Sequence, residues 1–294
     1  MNGFLIVNKP RGLTSHTVVN RVRRIVGQKR IGHTGTLDPL ATGVLPLALG
    51  QATRLSEYLL GGDKRYRATL KLGETTASYD SETPVLETRP VAITEAQFLA
   101  VLAQFRGNLQ QVPPAYSAIQ QGGRRAYDLA RTGQPINLPP RPVTIYSLDL
   151  HDWQPPFAVV DVHCASGTYI RSLAHDIGQT LGCGAHLTAL QRTQAGPYAL
   201  GDSYTLEDIE TAFANGIGDT LLLSMASALE DWPLVMLSDA DALELIYGRS
   251  LPLTAPAEGL ARACLENGSL VAVVQAQGGR WRPVKVLAVQ QQDE

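Results

Sequence analysis

Strict alternation over residues 64–73 puts Tyr66, Ala68, Leu70 and Leu72 on one face and Arg65, Arg67, Thr69 and Lys71 on the other. That period of two predicts a strand with one buried face and one cationic face. The apolar run at 4–8 predicts a buried strand, ended by a turn through Lys9-Pro10-Arg11-Gly12. The period then changes. Val18, Val22 and Ile25 or Val26 share one face, with Arg21 and Arg24 opposite, so a helix runs to about Val26. Ser15 or Thr14 can cap it and Gly27 stops it. A short amphipathic helix is expected at 51–60. Thr94-Glu95-Ala96-Gln97 has the form of a capping box for a helix to Phe105. Strands follow at 143–150 and 157–164, then helices at 169–181, 205–213 and 220–229. Asp231-Trp232-Pro233 marks a boundary, after which come a helix from Ser238 to Tyr247 and strands at 269–275 and 284–289 around Gly278-Gly279.

At 294 residues the chain can hold one to three domains with ample core. It contains no apolar run long enough to span a bilayer, and its first residues lack the charged leader and apolar core of a signal peptide. Cys164, Cys183 and Cys264 are odd in number and widely spaced, which suggests reduced thiols of a cytoplasmic protein. His163 and His175 sit in no ligand cluster, so neither a metal nor another cofactor is expected. The net charge of −2 conceals an asymmetry: residues 1–71 hold 12 Lys or Arg against 3 Asp or Glu, while residues 193–248 hold ten acids and no Lys or Arg. Either folding interleaves these charges, or the chain presents a basic face to phosphates and turns an acidic region away.

The stretch from Lys29 to Leu47 is chemically distinctive. Two cations lead into a run with glycines at 32, 35 and 43 and a lone carboxylate, Asp38, among apolar residues. Pro39 biases Asp38 toward extended geometry. Asp38 can close a local turn, as Asp often does, or stand as a fixed carboxylate at the edge of a pocket. Composition and spacing leave both open.

Gly32-His33-Thr34-Gly35-Thr36-Leu37-Asp38-Pro39-Leu40-Ala41-Thr42-Gly43-Val44-Leu45 resembles the signature of the TruB-type pseudouridine synthases, which convert uridine to pseudouridine at position 55 in the tRNA T-loop. A second specific likeness runs from Cys164 to Gly178. Residues 111–131 again resemble the family closely, and shorter likenesses lie at Lys9-Pro10, at Gly73–Asp80 and at 186–193. The resemblance implies an α+β fold: a mixed, mainly antiparallel sheet with flanking helices over residues 1–230, an RNA-binding insertion at about 106–142, and a small RNA-binding β-barrel of the PUA type at 231–294. It implies that Asp38 is the essential carboxylate, Arg171 its partner, and Tyr66 the tyrosine stacked on the target ring, although Tyr66 heads an apolar face and reads equally well as a core residue. Lys9 would pack near the pocket, His33 would stack in place of the extruded base, Tyr169 and Leu190 would line the pocket, and Arg124 and Arg125 would face RNA. Gln120 stands where the family usually has Lys. Ala77 and Ser78 depart from the usual acid and Thr, while Thr76 and Asp80 match. The expected partner is the tRNA T-arm, with no obligatory protein partner and a monomeric chain. Two rivals share many of these features: a guide-RNA-dependent synthase and a non-catalytic tRNA-binding protein.

Overall fold

The computed structural model describes residues 1–117 and 138–287, together with the backbone of 120–121 and 124–125. A nine-stranded sheet organises the larger part. Its main path runs Gly3–Lys9, Thr42–Leu49, Ala185–Ala195, Lys64–Leu72, Phe157–Cys164, Arg141–Gln154, Gly107–Gln111, with Ile31–His33 and Tyr198–Ala199 attached at its flank. Neighbours pair antiparallel except Ala185–Ala195 with Thr42–Leu49, which meet in parallel at Gln191–Thr42 and Arg192–Gly43.

The predicted alternation is realised. Ala68, Leu70 and Leu72 are buried and Arg65 and Arg67 exposed. The cationic row is largely met by acids: Arg67 holds Asp161 through two N–H bonds of 2.8 and 2.9 Å, and Lys71 pairs with Glu74 at 2.6 Å. The interleaving expected of a folded chain therefore applies to this row.

The apolar face of the sheet is covered by four helices, of which Leu206–Ala214 adds Leu206 and Ile209 to the core. Ser15–Val26 buries Val18, Val19 and Val22; the Thr14 side chain caps it by accepting from the Thr17 N–H, and Gly27 ends it at φ 69°. Glu95–Gln104 opens with the expected capping box at Thr94 and buries Phe98 and Leu102. Ile170–Leu181 buries Leu173, Ala174 and Ile177. These residues join the strands in one core. A second core lies across the sheet, where Phe4, Ile6, Val44 and Ala48 meet Tyr198, Leu229 and, from the C-terminal part, Cys264, Leu270 and Val273.

Four segments differ from the sequence pattern. Residues 42–49 form a strand, so the distinctive stretch that starts at Lys29 ends inside the sheet. Residues 185–195 form a central strand that the pattern did not announce. The helix expected at 220–229 is instead two 3-10 turns, Gly218–Leu221 and Met225–Leu229. Between them Leu223 exchanges backbone hydrogen bonds with Phe4 at 2.9 and 2.8 Å, so tertiary pairing takes the amide that a helix would use. Residues 51–60 are likewise half 3-10 and half α.

The C-terminal part is a five-stranded sheet ordered Leu234–Leu237, Leu260–Leu265, Leu270–Gln277, Arg280–Val286, Leu251–Pro252, with helix Asp239–Ile246 packed on it. Three of its strands, Leu234–Leu237, Leu251–Pro252 and Leu260–Leu265, have no counterpart in the sequence pattern.

Candidate active site

The loop from Thr34 to Ala41 is pinned before its chemistry begins. The Ser15 hydroxyl accepts from the Leu37 N–H at 2.8 Å and donates to the Leu37 carbonyl at 3.1 Å. The Pro39 carbonyl accepts from the Gly12 N–H at 2.7 Å and from the Lys9 ammonium at 3.4 Å. Leu37, Leu40 and Ala41 are buried beneath it. Arg192, reaching from the adjacent strand and itself 2 % exposed, donates to the carbonyls of Gly35, Thr36 and Val44 at 3.1, 3.4 and 2.7 Å. Gly43 permits that approach: at φ 94° a Cβ would stand 2.3 Å from the Arg192 carbonyl oxygen.

So held, the loop presents Asp38 to Arg171. Arg171 Nε lies 3.0 Å from Asp38 Oδ2, and Asp38 keeps 37 % of its side-chain surface open against 6 % for the arginine. The carboxylate is thus spent on an ion pair across the pocket, which decides between the two readings of Asp38 in favour of the fixed carboxylate. Arg171 occupies the first turn of its helix, where a cation opposes the helix dipole. Acceptors on several sides offset this. Besides Asp38, Nη1 faces Asp80 Oδ2 at 3.4 Å and the Ser78 carbonyl at 3.3 Å, and Nη2 donates to the Tyr116 carbonyl at 2.9 Å. Asp80 is wholly buried, with its other oxygen accepting from the Ser78 hydroxyl at 2.5 Å and the Glu82 N–H at 2.9 Å. Enclosure pushes the Asp38 carboxyl above the usual carboxylate range; the Arg171 guanidinium opposes that push and Asp80 adds to it.

A pocket of about 290 Å³ opens in front of this pair, and Asp38, Lys64, Tyr66, Ser117, Tyr169, Arg171, Leu190 and Arg192 are among the residues that line it. Tyr66 and Arg192 face each other across adjacent strands, and Leu190 pairs with Ala68. Burial pushes the Tyr66 phenol up, although the Arg192 guanidinium beside it works the other way. The phenol therefore holds its proton near neutrality, which suits a relay better than a free base. Tyr169 is set by Gln111, whose side chain accepts from its N–H at 2.8 Å and donates to its carbonyl at 3.0 Å.

The other expected site residues fall elsewhere. Lys9 is wholly buried behind the loop, its ammonium on the carbonyls of Pro10, Leu13 and Pro39; burial pulls its pKa down to about 8. His33 lies at the loop's approach, outside the pocket lining, with Nδ1 accepting from the Gly35 N–H at 3.4 Å. Burial keeps its imidazole pKa below the ordinary value. Arg124 and Arg125 form a short backbone pairing with Gln120 and Gln121; their side chains, and that of Gln120, lie outside the described residues. His163 pairs with Asp63 and His175 stacks on Tyr79. The residue that sequence reasoning passed over is Arg192. It lies among the family-like residues at 186–193, of which the resemblance gives a role to Leu190 alone.

Residues 23–170 match the family described as TruB family pseudouridylate synthase, N-terminal domain. Residues 171–230 match the tRNA pseudouridylate synthase B C-terminal domain and 232–288 the tRNA pseudouridine synthase II C-terminal domain. The chain belongs to the TruB family. Its relatives include the tRNA pseudouridine synthase B of Stutzerimonas stutzeri, 43 % identical over 98 % of this chain and 96 % of that protein. That of Thiobacillus denitrificans is 45 % identical over 99 % and 97 %. Among solved structures, an H/ACA ribonucleoprotein bound to a substrate RNA containing 2'-deoxyuridine superposes with a TM-score of 0.78 at 26 % identity, covering 98 % of this chain and 86 % of the other. The TruB chain thus has the pseudouridine synthase fold, a mixed sheet with helices, and a PUA-like C-terminal part.

Proposed function

We propose that this chain isomerises uridine to pseudouridine at position 55 in the T-loop of tRNA, with Asp38 as its essential carboxylate. The observation that carries this is the 3.0 Å Asp38–Arg171 pair, held by the pinned loop inside a pocket that also presents Tyr66 and Leu190. The target base leaves the stack and enters between Tyr66 and Leu190. Asp38 attacks C1′, attacks C6 or removes the C2′ proton. The glycosidic bond breaks, the ring turns, C5 bonds to C1′, and the C5 proton departs through Tyr66. Apolar enclosure keeps water from the separated base and sugar. Arg171 orients Asp38 and opposes the rise in its pKa. Lys9 acts from behind, by fixing the loop through the Pro39 carbonyl. His33 fills the gap left by the base, and Tyr169 and Leu190 wall the pocket.

Residues 1–230 are the catalytic domain, with the RNA-binding insertion at about 106–142 carrying Arg124 and Arg125. Residues 231–294 are the PUA-like RNA-binding domain. The protein works as a monomer in the cytoplasm, on the tRNA T-arm, without a protein partner. Full-length likeness to the bacterial enzymes supports this over a guide-dependent assembly. Among the described residues no helix is long and apolar enough to cross a membrane.

Purified protein mixed with an unmodified tRNA transcript and nothing else tests this reading. Pseudouridine mapped to position 55 is expected. Product only after adding another RNA or protein would overturn the stand-alone reading.

A further inference from the structure

We propose that Lys64 and Arg192 form a cationic end of the pocket that bears the negative charge of the uracil ring between breaking of its glycosidic bond and formation of the new one. The inference rests on the pseudouridine synthase reading and extends it to two residues with no role in the account above beyond support.

The pocket is electrically lopsided. At one end Arg171 faces two carboxylates, Asp38 and Asp80. At the other, Lys64 is 7 % exposed and Arg192 2 % exposed, and neither makes an ion pair with a carboxylate among the described residues. Both are fixed by backbone carbonyls instead. The Lys64 ammonium donates to Leu60 at 2.7 Å and to Gly62 at 2.5 Å, and Arg192 donates to Gly35, Thr36 and Val44. With the further bond that Arg192 makes to the Tyr66 hydroxyl, these leave one N–H of Lys64 and one of Arg192 uncommitted. Both residues line the pocket beside Tyr66. A buried cation without a counter-charge is costly, and carbonyl dipoles offset only part of that cost. Such an arrangement is complementary to an anion that arrives during the reaction.

The chemistry supplies that anion. When the C1′–N1 bond breaks, its electron pair leaves with the ring, so N1, O2 and O4 share a full negative charge while C1′ is held by the sugar-side step at Asp38. The charge is discharged when C5 re-bonds to C1′. The C5 proton then leaves and N1 gains one, so the isomerisation is balanced with no outside reagent. Fixed cations aimed at charge that develops only in the reaction lower its barrier without tightening substrate binding.

The test is the single-turnover rate at which the C1′–N1 bond is lost from tRNA carrying either uridine or 5-fluorouridine at the target (the fluorine stays on C5, so bond loss and not pseudouridine is read), with the unaltered protein, Lys64→Met and Lys64→Arg, beside measured tRNA affinity. Fluorine stabilises the ring anion, so the departing ring needs less help. With uridine, Lys64→Met should slow conversion by about 100-fold while tRNA affinity stays nearly unchanged, and Lys64→Arg should restore most of the rate. With 5-fluorouridine the loss on Lys64→Met should shrink by at least tenfold. A pH series on uridine tRNA adds a second readout. Burial and the Arg192 charge pull the Lys64 pKa down to about 8, with Cys164 and Asp63 opposing. The cation is therefore present below that pH, the rate should fall as pH rises through it, and Lys64→Arg should carry that limb upward. An equal loss on both substrates, or an alkaline limb unmoved by Lys64→Arg, would contradict the proposal. Pseudouridine formed by the unaltered protein keeps the underlying reading intact in either case.

Discussion

The proposed mechanism asks Asp38 to carry a negative charge in a pocket that disfavours it, and Arg171 is the group that opposes this penalty. The sign is worked out from the causes. Enclosure raises the carboxyl above its ordinary range and Arg171 draws it back. The ionised, active form is present above that raised value and lost as pH falls through it. The acid limb of the single-turnover rate should therefore lie above the ordinary carboxylate range, and Arg171→Met should move it further up while lowering the plateau by about 100-fold or more. A limb that stays in place in the variant would separate Arg171 from the ionisation of Asp38. Tyr66 gives a second prediction at this scale. Tyr66→Phe keeps a ring to stack on the base but lacks the hydroxyl to which the proposed mechanism gives the C5 proton, so tRNA affinity should persist while product formation drops by about 100-fold. Quenched single-turnover digests check it. Asp38 was legible as chemistry only through the surrounding motif, because an isolated Asp-Pro reads equally as a turn. Arg192 was not legible, because a cation ordinarily reads as solvent-facing and its burial depends on carbonyls 156 and 157 residues away in the chain.

At the scale of elements, legibility followed one-sided burial. The strand holding Tyr66 showed its period because one face is apolar and the other meets water. Thr42–Leu49 is buried on both faces and reads as an uninterrupted apolar run with Pro46 inside it, which hides a strand. Ala185–Ala195 loses its alternation because His186 and Arg192 are buried polar residues and because the register slips at Leu187/Ala189 and Arg192/Gln194. The parallel contact between these two strands is what brings Arg192 to the catalytic loop, and Gly43 is its weak point. Gly43→Ala should cost about 3 kcal/mol, from strain at positive φ and from collision with the Arg192 backbone. Urea denaturation measures this; a change below about 0.5 kcal/mol would mean the strands separate freely there.

Across the whole molecule, the C-terminal sheet is joined to the larger part by a shared core. Trp232 packs edge-on against Tyr58 at 5.0 Å, Lys285 reaches Glu57 and the Arg54 carbonyl, and Cys264, Leu270 and Val273 enter the core beneath the first strands. Trp232→Ala should destabilise the protein by about 2 kcal/mol and lower the melting temperature of the whole chain, read by calorimetry; a drop confined to a separate minor transition would show two independent units. The charge asymmetry of the chain acts at this scale too. Gln120→Lys, restoring a cation on the segment that carries Arg124 and Arg125, should steepen the salt dependence of tRNA binding by about one phosphate contact. An unchanged slope would remove that position from the RNA. The measurement that reaches the central claim most directly is tritium release from tRNA transcript labelled at C5 of uridine, with the unaltered protein and with Asp38→Ala. Release by the first and none by the second is predicted, because pseudouridine formation expels the C5 hydrogen and Asp38 starts the exchange of bonds. Release by both proteins would contradict the assignment of Asp38, and release by neither would contradict the reaction itself.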